Sequence, residues 1–311
     1  MPMKKNIKIL ILGGTGYLGQ KLVNDLQKSK YTIYNPNRST LNLESNTIDS
    51  AYLESVLNNI DIIINCAVYQ LTGDNLIRNK SQIEDRNYKI NESIIEIFKL
   101  SESNTKLITI GASCAYSCVH GKTSYDEGPL HPSVQAFAAP KRRLSQDLRN
   151  LNSKTGQHYS ILVPGTLVGP GEQLDESKKH FFNGTIFRYV KYIKRTENDF
   201  KKFGNMDAVR ELTNIKTFSD YIVENCQHLP LGINNIIPDY RIKVEQLYDY
   251  LISLSGPSKV VDSKTKFLAV EQKSHKVDVV EDLSNNHDFK DSSIRDLINQ
   301  TVNYYENRMF N

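Results

Sequence analysis

The sequence has few cysteines, a small net charge and no long apolar run. The 311 residues are 39% hydrophobic and 24% charged, and the formal net charge is only +4. A membrane-spanning helix needs about 20 consecutive apolar residues, and no segment approaches that length. Nucleic-acid-binding domains concentrate their basic residues in a stripe, whereas here these residues are dispersed. We therefore expect neither a membrane nor a nucleic acid as partner, and we expect the protein to lie in the cytoplasm.

The few cysteines do not indicate a disulfide framework or a metal site. They are Cys66, Cys114, Cys118 and Cys226. Cys66 follows an apolar stretch typical of a buried strand, which favours reduced thiols in a cytoplasm. No spacing of Cys and His is typical of zinc, so no metal is expected.

A glycine-rich loop near the start of the chain is the clearest functional motif. The apolar residues 7–12 predict a buried parallel strand, and Gly13, Gly16 and Gly19 follow with the spacing G-x-x-G-x-x-G. Such glycines permit a tight turn, a close approach to a pyrophosphate and close packing of the next helix, here predicted over residues 17–28. The helix N-terminus would face the phosphates. The predicted dinucleotide contacts are Gly13, Thr15, Gly16, Tyr17, Leu18 and Gly19.

The second strand lacks the acidic residue that anchors the ribose of NAD. This strand is predicted over residues 32–35, and the next residues are Pro36, Asn37 and Arg38. An arginine at this position accommodates the 2′-phosphate of NADP. The sequence thus favours NADP(H), although Arg38 could also be an ordinary surface loop residue.

Strands and helices alternate regularly through the first half of the chain. Strands are predicted over residues 60–65, 106–110 and 159–163, and helices over residues 84–100 and 137–148, with Pro140 in the first turn of the second helix. This alternation predicts an α/β fold of the Rossmann type, a doubly wound parallel sheet. We assign residues 1–165 to a dinucleotide-binding domain. Residues 166–311 are assigned mainly to a smaller substrate-binding lobe, with some segments returning to the sheet and helices over residues 181–195, 244–253 and 294–305.

Five segments together resemble one protein family. They are residues 38–43 (RSTLNL), Asn87, residues 111–116 (GASCAY), the pair Gly169 and Pro170 followed by His180, and residues 209–212 (VREL). These segments are similar to motifs of the extended short-chain dehydrogenases/reductases of the NAD-dependent epimerase/dehydratase group, which act on nucleotide sugars. Within that group they are most similar to the GDP-L-fucose synthases.

This resemblance implies a reaction and a set of site residues. It implies a nucleoside-diphosphate sugar as substrate, NADP(H) as cofactor, reduction or epimerisation of a 4-keto sugar, and a homodimer. Lys141 corresponds to the lysine that holds the nicotinamide ribose. Cys114 and His180 correspond to the pair that moves protons at the carbons flanking the keto group, and a cationic neighbour is expected to lower the pKa of the Cys114 thiol. Further implied cofactor contacts are Cys66, Ala67 and Asn87, and the implied substrate contacts are Arg210 and Tyr125.

Two departures from the family pattern affect the redox step. The family's catalytic serine and tyrosine are replaced here by Ala112 and Phe137. Loss of a general acid reduces a rate by roughly two to four orders of magnitude. Three explanations stay open: a diverged homologue with a changed or lost redox step, substitution of the hydroxyls by Ser113, Tyr116 or Tyr125, or deliberate replacement to trap a substrate. Of the three hydroxyls, that of Tyr125 in a loop is expected to be the freest, Ser113 is expected on an extended segment, and Tyr116 is expected to pack as a structural residue. A non-catalytic protein that binds NADP(H) and a nucleotide sugar is the alternative to an enzyme.

Overall fold

The computed structural model describes residues 6–29, 31–45, 50–72, 74–117, 124–196, 200, 202, 205–255 and 291–310. The chain divides into two compact units. The first contains residues up to 163 and residues 218–236, and the second contains residues 164–217, 237–255 and 291–310. In the described part of the chain, no helix is long and apolar enough to cross a membrane.

The main helices and strands follow one another in the order that the sequence predicts, with further short elements between them. In chain order they are β1 (Lys8–Leu12), α1 (Tyr17–Gln27), β2 (Thr32–Tyr34), α2 (Ser50–Leu57), β3 (Ile62–Asn65), α3 (Asp74–Arg78), α4 (Lys80–Leu100), β4 (Lys106–Ile110), α5 (Gln135–Thr155), β5 (Tyr159–Val163), β6 (Thr166–Val168), α6 (Phe181–Ile193), β7 (Val209–Asn214), α7 (Ile215–Asn225), β8 (Gly232–Asn235), β9 (Tyr240–Lys243), α8 (Val244–Leu254) and α9 (Asp291–Phe310).

The first unit is built on a six-stranded parallel sheet. Its strand order is β2-β1-β3-β4-β5-β8, and every neighbouring pair is parallel. The apolar residues of β1 and β3 are buried because helices cover both faces of such a sheet. The predicted Rossmann-type doubly wound sheet is therefore confirmed. The segments that follow β1, β3 and β4 leave the same edge of the sheet, where ligands of this fold bind.

Helix α5 begins two residues earlier than the sequence predicts. It starts at Gln135, so that Pro140 lies in its second turn and not in the first. Proline has no N–H to donate to the preceding turn. Its own carbonyl accepts a hydrogen bond of 2.8 Å from the side chain of Asn91 on α4, which links the two helices at this point.

In its described residues, the second unit contains a three-stranded mixed sheet and the helices α6, α8 and α9. Its strand order is β6-β7-β9, with β6 and β7 parallel and β7 and β9 antiparallel. Helices α6, α8 and α9 surround a core that includes Phe182, Leu212, Leu247, Ile298 and Tyr305. The three predicted helices are present, whereas the strands between them are too short and too polar to stand out in the sequence.

Candidate active site

The glycine loop after β1 leaves no room for side chains. Gly13 has a φ of +77°, and a Cβ at this residue would lie 2.5 Å from the backbone nitrogen of Ala67. A Cβ at Gly19 would lie 2.7 Å from the Cα of Gly14. Gly16, the residue before α1, has no side chain to cap the helix N-terminus, and the positive end of the helix dipole favours an anion there. An uncapped helix N-terminus behind a backbone-only loop fits the pyrophosphate of a dinucleotide.

Arg38, in the segment after β2, forms an ion pair that the sequence did not predict. Its side chain is 64% exposed, and its Nη2 lies 3.1 Å from Oε1 of Glu44. Arg86 of α4 holds the same carboxylate with two hydrogen bonds of 2.7 and 2.8 Å and stacks 3.5 Å above the ring centroid of Tyr69. Chiefly because of the Arg86 hydrogen bonds, the pKa of Glu44 is lowered. A 2′-phosphate at Arg38 would therefore lie near two positive charges, those of Arg38 and Arg86. These charges already neutralise the Glu44 carboxylate in part.

The segment after β3 is fixed by two buried asparagines. Asn65 donates to the hydroxyl of Thr109 at 2.8 Å and accepts the Ala67 N–H at 2.9 Å. Asn87 is 4% exposed, accepts the N–H of Tyr69 at 2.9 Å and donates to its carbonyl at 2.8 Å. Both amides thus hold the backbone of residues 66–69 against the cofactor loop. The predicted role of Asn87 below the cofactor stays a prediction.

Lys141 reaches from α5 to the end of β4. Its Nζ donates to the carbonyl oxygen of Ile110 at 2.7 Å. Burial disfavours the charged ammonium and lowers the pKa of Lys141 to about 8, although Cys114 and Cys66 act in the opposite direction. Phe137 lies one turn earlier on the same face of α5. The structure therefore brings the lysine close to both cysteines.

The thiols of this group are weaker acids than expected for a proton-transferring cysteine. Burial raises the pKa of Cys114 to about 11, and the nearby positive charge of Lys141 only partly opposes this effect. Burial likewise raises the pKa of Cys66 to about 12. The expectation that a cationic neighbour lowers the pKa of Cys114 is wrong here, because desolvation of the thiolate outweighs the attraction of one ammonium group.

Of the three hydroxyls considered as replacements, the two tyrosines are packed inside the first unit. Tyr125, expected to be the freest, is 3% exposed, and its hydroxyl accepts the Ala112 N–H at 3.2 Å. This expectation is wrong because the ring packs edge-on against Tyr116, with 5.2 Å between centroids. Tyr116 donates to the side chain of Asn235 at 2.7 Å and has a structural role. Ser113 is exposed at the start of a short 3₁₀ turn and not on an extended segment.

His180 and Arg210 belong to the second unit. His180 precedes α6, and burial lowers its pKa, which favours the neutral imidazole. Arg210 is exposed on β7, opposite Ile242 of β9. The carboxylate of Glu172, which is 5% exposed, accepts the backbone N–H of His180 and bonds to the side chain of Asn183. Burial nevertheless raises the pKa of Glu172 to about 7.

Comparison with known proteins identifies the family. Residues 9–235 match the NAD dependent epimerase/dehydratase family. The chain belongs to this family. It is 23% identical over 245 residues to GDP-L-colitose synthase of Yersinia pseudotuberculosis, a match that covers 76% of this chain and 79% of the relative. It is 24% identical over 226 residues to GDP-L-fucose synthase of Dictyostelium discoideum, covering 69% and 68% of the two chains.

Solved structures of similar proteins show the same fold. A GDP-6-OMe-4-keto-L-xylo-heptose reductase from C. jejuni superposes with a TM-score of 0.75 at 17% identity, over 98% of this chain and 99% of that chain. A GDP-L-fucose synthetase from Naegleria fowleri bound to NADP has a TM-score of 0.71 at 16% identity, over 98% and 94% of the two chains. These structures show the shared fold, and the match to the family model confirms the predicted relationship to the epimerase/dehydratase group.

Sequence reasoning missed the charged partners of two predicted site residues. Arg86 lies 42 positions after Glu44, and only the fold brings its guanidinium to the carboxylate that also pairs with Arg38. Glu172 lies eight positions before His180, beside the Gly169 and Pro170 motif. This position in the sequence could have marked it as a candidate site residue. Its burial, in contrast, becomes visible only in the structure.

Proposed function

We propose that this protein is an NADP(H)-dependent enzyme that acts on a nucleoside-diphosphate 4-keto sugar, by reduction or by epimerisation. The observation that carries the proposal is the group formed by Lys141 and Cys114 at the end of β4, in the same unit as an open glycine loop. A GDP-linked sugar is the favoured substrate, because the named relatives are GDP-sugar synthases and reductases.

The residues present fit the proposed cofactor. Gly13, Gly16 and the uncapped N-terminus of α1 suit its pyrophosphate, and Arg38 with Arg86 suits a 2′-phosphate. Lys141 would hold the nicotinamide ribose. When bound, NADPH supplies a hydride for a carbonyl carbon. Solved neighbours that contain NADP or NADPH support this choice of cofactor.

The family resemblance assigns epimerisation to Cys114, in the first unit, and to His180, in the second. Exchange of a proton beside a keto group requires an acid and a base but no hydroxyl at residues 112 or 137. The lowered pKa of His180 favours a neutral imidazole, which can accept a proton, whereas the raised pKa of Cys114 makes its thiol a weak proton donor. The proposal therefore includes proton exchange even where hydride transfer is slow.

The test combines binding, hydride transfer and proton exchange. NADPH binding is measured by calorimetry, and oxidation of NADPH is followed by absorbance with GDP-linked and UDP-linked 4-keto hexoses. Exchange is measured as uptake of deuterium from heavy water into the same sugars. We expect NADPH to bind and at least one sugar to be reduced or exchanged. Binding without either reaction would favour the alternative, a non-catalytic NADP(H)-binding homologue.

Two further proposals concern the assembly and the location of the protein. The resemblance supports a homodimer, which light scattering of the purified chain tests directly. A monomer across the concentrations used in the assay would contradict it. The proposed cytoplasmic location is tested by fractionation of the source cells.

A further inference from the structure

Reduction at C4 requires a proton for the sugar oxygen, and the residues that normally supply it are missing. Ala112 and Phe137 carry no hydroxyl group. The inference below rests on the proposed function and concerns the origin of this proton. The candidates are the other proton-bearing side chains that the structure describes around the end of β4.

The two neighbouring tyrosines are poor candidates. The hydroxyl hydrogen of Tyr116 is directed to Asn235 at 2.7 Å. Tyr125 is buried, its oxygen is held by the Ala112 N–H, and burial raises its pKa above the ordinary value. A phenol with a raised pKa is a weaker acid than free tyrosine, so neither tyrosine is suited to protonate a developing alkoxide.

The serine and the thiols are no better suited. Ser113 is exposed in a 3₁₀ turn, and a serine hydroxyl is a very weak acid unless a base assists it. Cys114 and Cys66 have pKa values of about 11 and 12 because their thiolates would be buried. Of the described groups compared here, the ammonium of Lys141 is then the strongest acid at the end of β4.

Lys141 has the geometry and the acidity for the task. An ammonium group has three hydrogens, and Ile110 accepts one of them at 2.7 Å, which directs the group to the end of β4. The pKa of Lys141 is lowered to about 8 by burial, so that the group is protonated at neutral pH but acidic enough to release its proton. The titratable groups acting on it are Cys114, on the turn after β4, and Cys66, after β3; in the described part of the chain no carboxylate does so.

We propose that Lys141 Nζ is the proton donor to the C4 oxygen of the keto sugar in this protein. The hydride supplied by NADPH forms the new C–H bond at C4, and the carbonyl π bond breaks toward oxygen. The oxygen takes a proton from the Lys141 ammonium, which becomes a neutral amine. The carbonyl is reduced to an alcohol, NADPH is oxidised to NADP⁺, and water restores the proton on Lys141.

The test compares K141R with the wild type and with K89R as a matched control. Lys89 is exposed on α4, so K89R reports the effect of a Lys-to-Arg change alone. Arginine keeps the positive charge and several donors for a ribose but releases no proton near neutral pH. We expect K141R to lower kcat by about 10²–10⁴-fold, while the Kd of NADPH changes only a few-fold and K89R behaves as wild type.

Three further measurements separate proton donation from cofactor binding. The wild-type kcat should fall as pH rises through about 8, because the protonated form of Lys141 is required. NMR titration of the lysine side chains in the cofactor-free protein should contain one resonance with a pKa near that value, absent in K141R. In the F137Y background, K141R should lower kcat by a smaller factor, because the restored phenol supplies the proton.

The outcomes distinguish this inference from the proposed function. If the wild type reduces a 4-keto sugar and K141R does so equally fast with an unchanged pH profile, Lys141 is not the donor and the proposed function stands. If K141R loses NADPH binding, the role of Lys141 is judged from the pH profile and the NMR titration of the wild type. A wild-type rate that is independent of pH between 7 and 9 overturns the inference. If the wild type reduces no sugar although NADPH binds, both are wrong.

Discussion

Replacing Gly13 with alanine should both destabilise the first unit and abolish dinucleotide binding. Gly13 has a φ of +77°, and the new Cβ would lie 2.5 Å from the nitrogen and 2.6 Å from the Cα of Ala67. A positive φ costs an alanine about 1–2 kcal/mol. The contact with backbone atoms adds a further cost of about 1–3 kcal/mol, because the segment after β3 must move.

Gly156 provides a matched control for the backbone conformation. Its φ of +74° is nearly the same, but a Cβ there would meet no atom within 4 Å. G156A should therefore lower the free energy of unfolding only by the cost of a positive φ, about 1–2 kcal/mol. The difference between the two variants isolates the steric contact with Ala67, and we expect G13A to be the less stable by about 1–3 kcal/mol.

The assay is urea unfolding of both variants, followed by calorimetric titration with NADPH. G156A should bind NADPH as the wild type does, since Gly156 lies at the end of α5 and not in the cofactor loop. G13A should bind NADPH at least tenfold more weakly because the displaced segment carries Ala67. Equal free energies of unfolding for the two variants, or unchanged NADPH binding by G13A, would refute this reasoning.

Other predictions concern charge, acidity and the missing hydroxyls. R38A should weaken binding of NADPH by about 1.5–3 kcal/mol, with little effect on NADH, and equal losses in calorimetry would contradict a 2′-phosphate contact. Burial raises the folded-state pKa of Glu172 to about 7, so its contribution to stability is fully present below pH 4.5 and is lost as pH rises through 7. In urea unfolding, E172Q should therefore lose less free energy of unfolding over this pH range than the wild type, and an unchanged pH profile would contradict this. Cys114 should react slowly with iodoacetamide at pH 8 and faster toward pH 11, whereas rapid labelling at pH 8 would indicate a thiolate. The double variant A112S/F137Y should reduce a 4-keto sugar at least tenfold faster than the wild type, and no gain would argue against a C4 reductase.

The fold was predictable where the sequence signal is local and strong. The buried strands before Gly13 and Cys66 are short apolar runs bounded by turn residues, and β4 and β5 are placed at the predicted residues. The short strands of the second unit escaped prediction, because Val209–Asn214 contains charged side chains on an exposed strand and carries no clear alternation. Their pairing depends on residues distant in sequence.

The sequence motifs name candidate site residues but not their environment. Lys141 and Cys114, which come from separate motifs, lie close enough in the structure for their charges to interact. The burial that raises the pKa of Cys114 and encloses Tyr125 is a property of packing, which no local motif encodes. The Glu44 and Arg86 pair likewise depends on the approach of α4 to the loop after β2.

Transfer of deuterium from labelled NADPH to a sugar tests the central claim most directly. The protein is incubated with NADPH deuterated at the transferable position of nicotinamide C4 and with a GDP-linked 4-keto hexose, and the product is examined by mass spectrometry and NMR. The proposed function predicts one deuterium at C4 of the sugar and a matching amount of NADP⁺. Tight binding of NADPH without deuterium at C4, for every GDP-, UDP-, CDP- and TDP-linked 4-keto sugar offered, would contradict the proposed reductase.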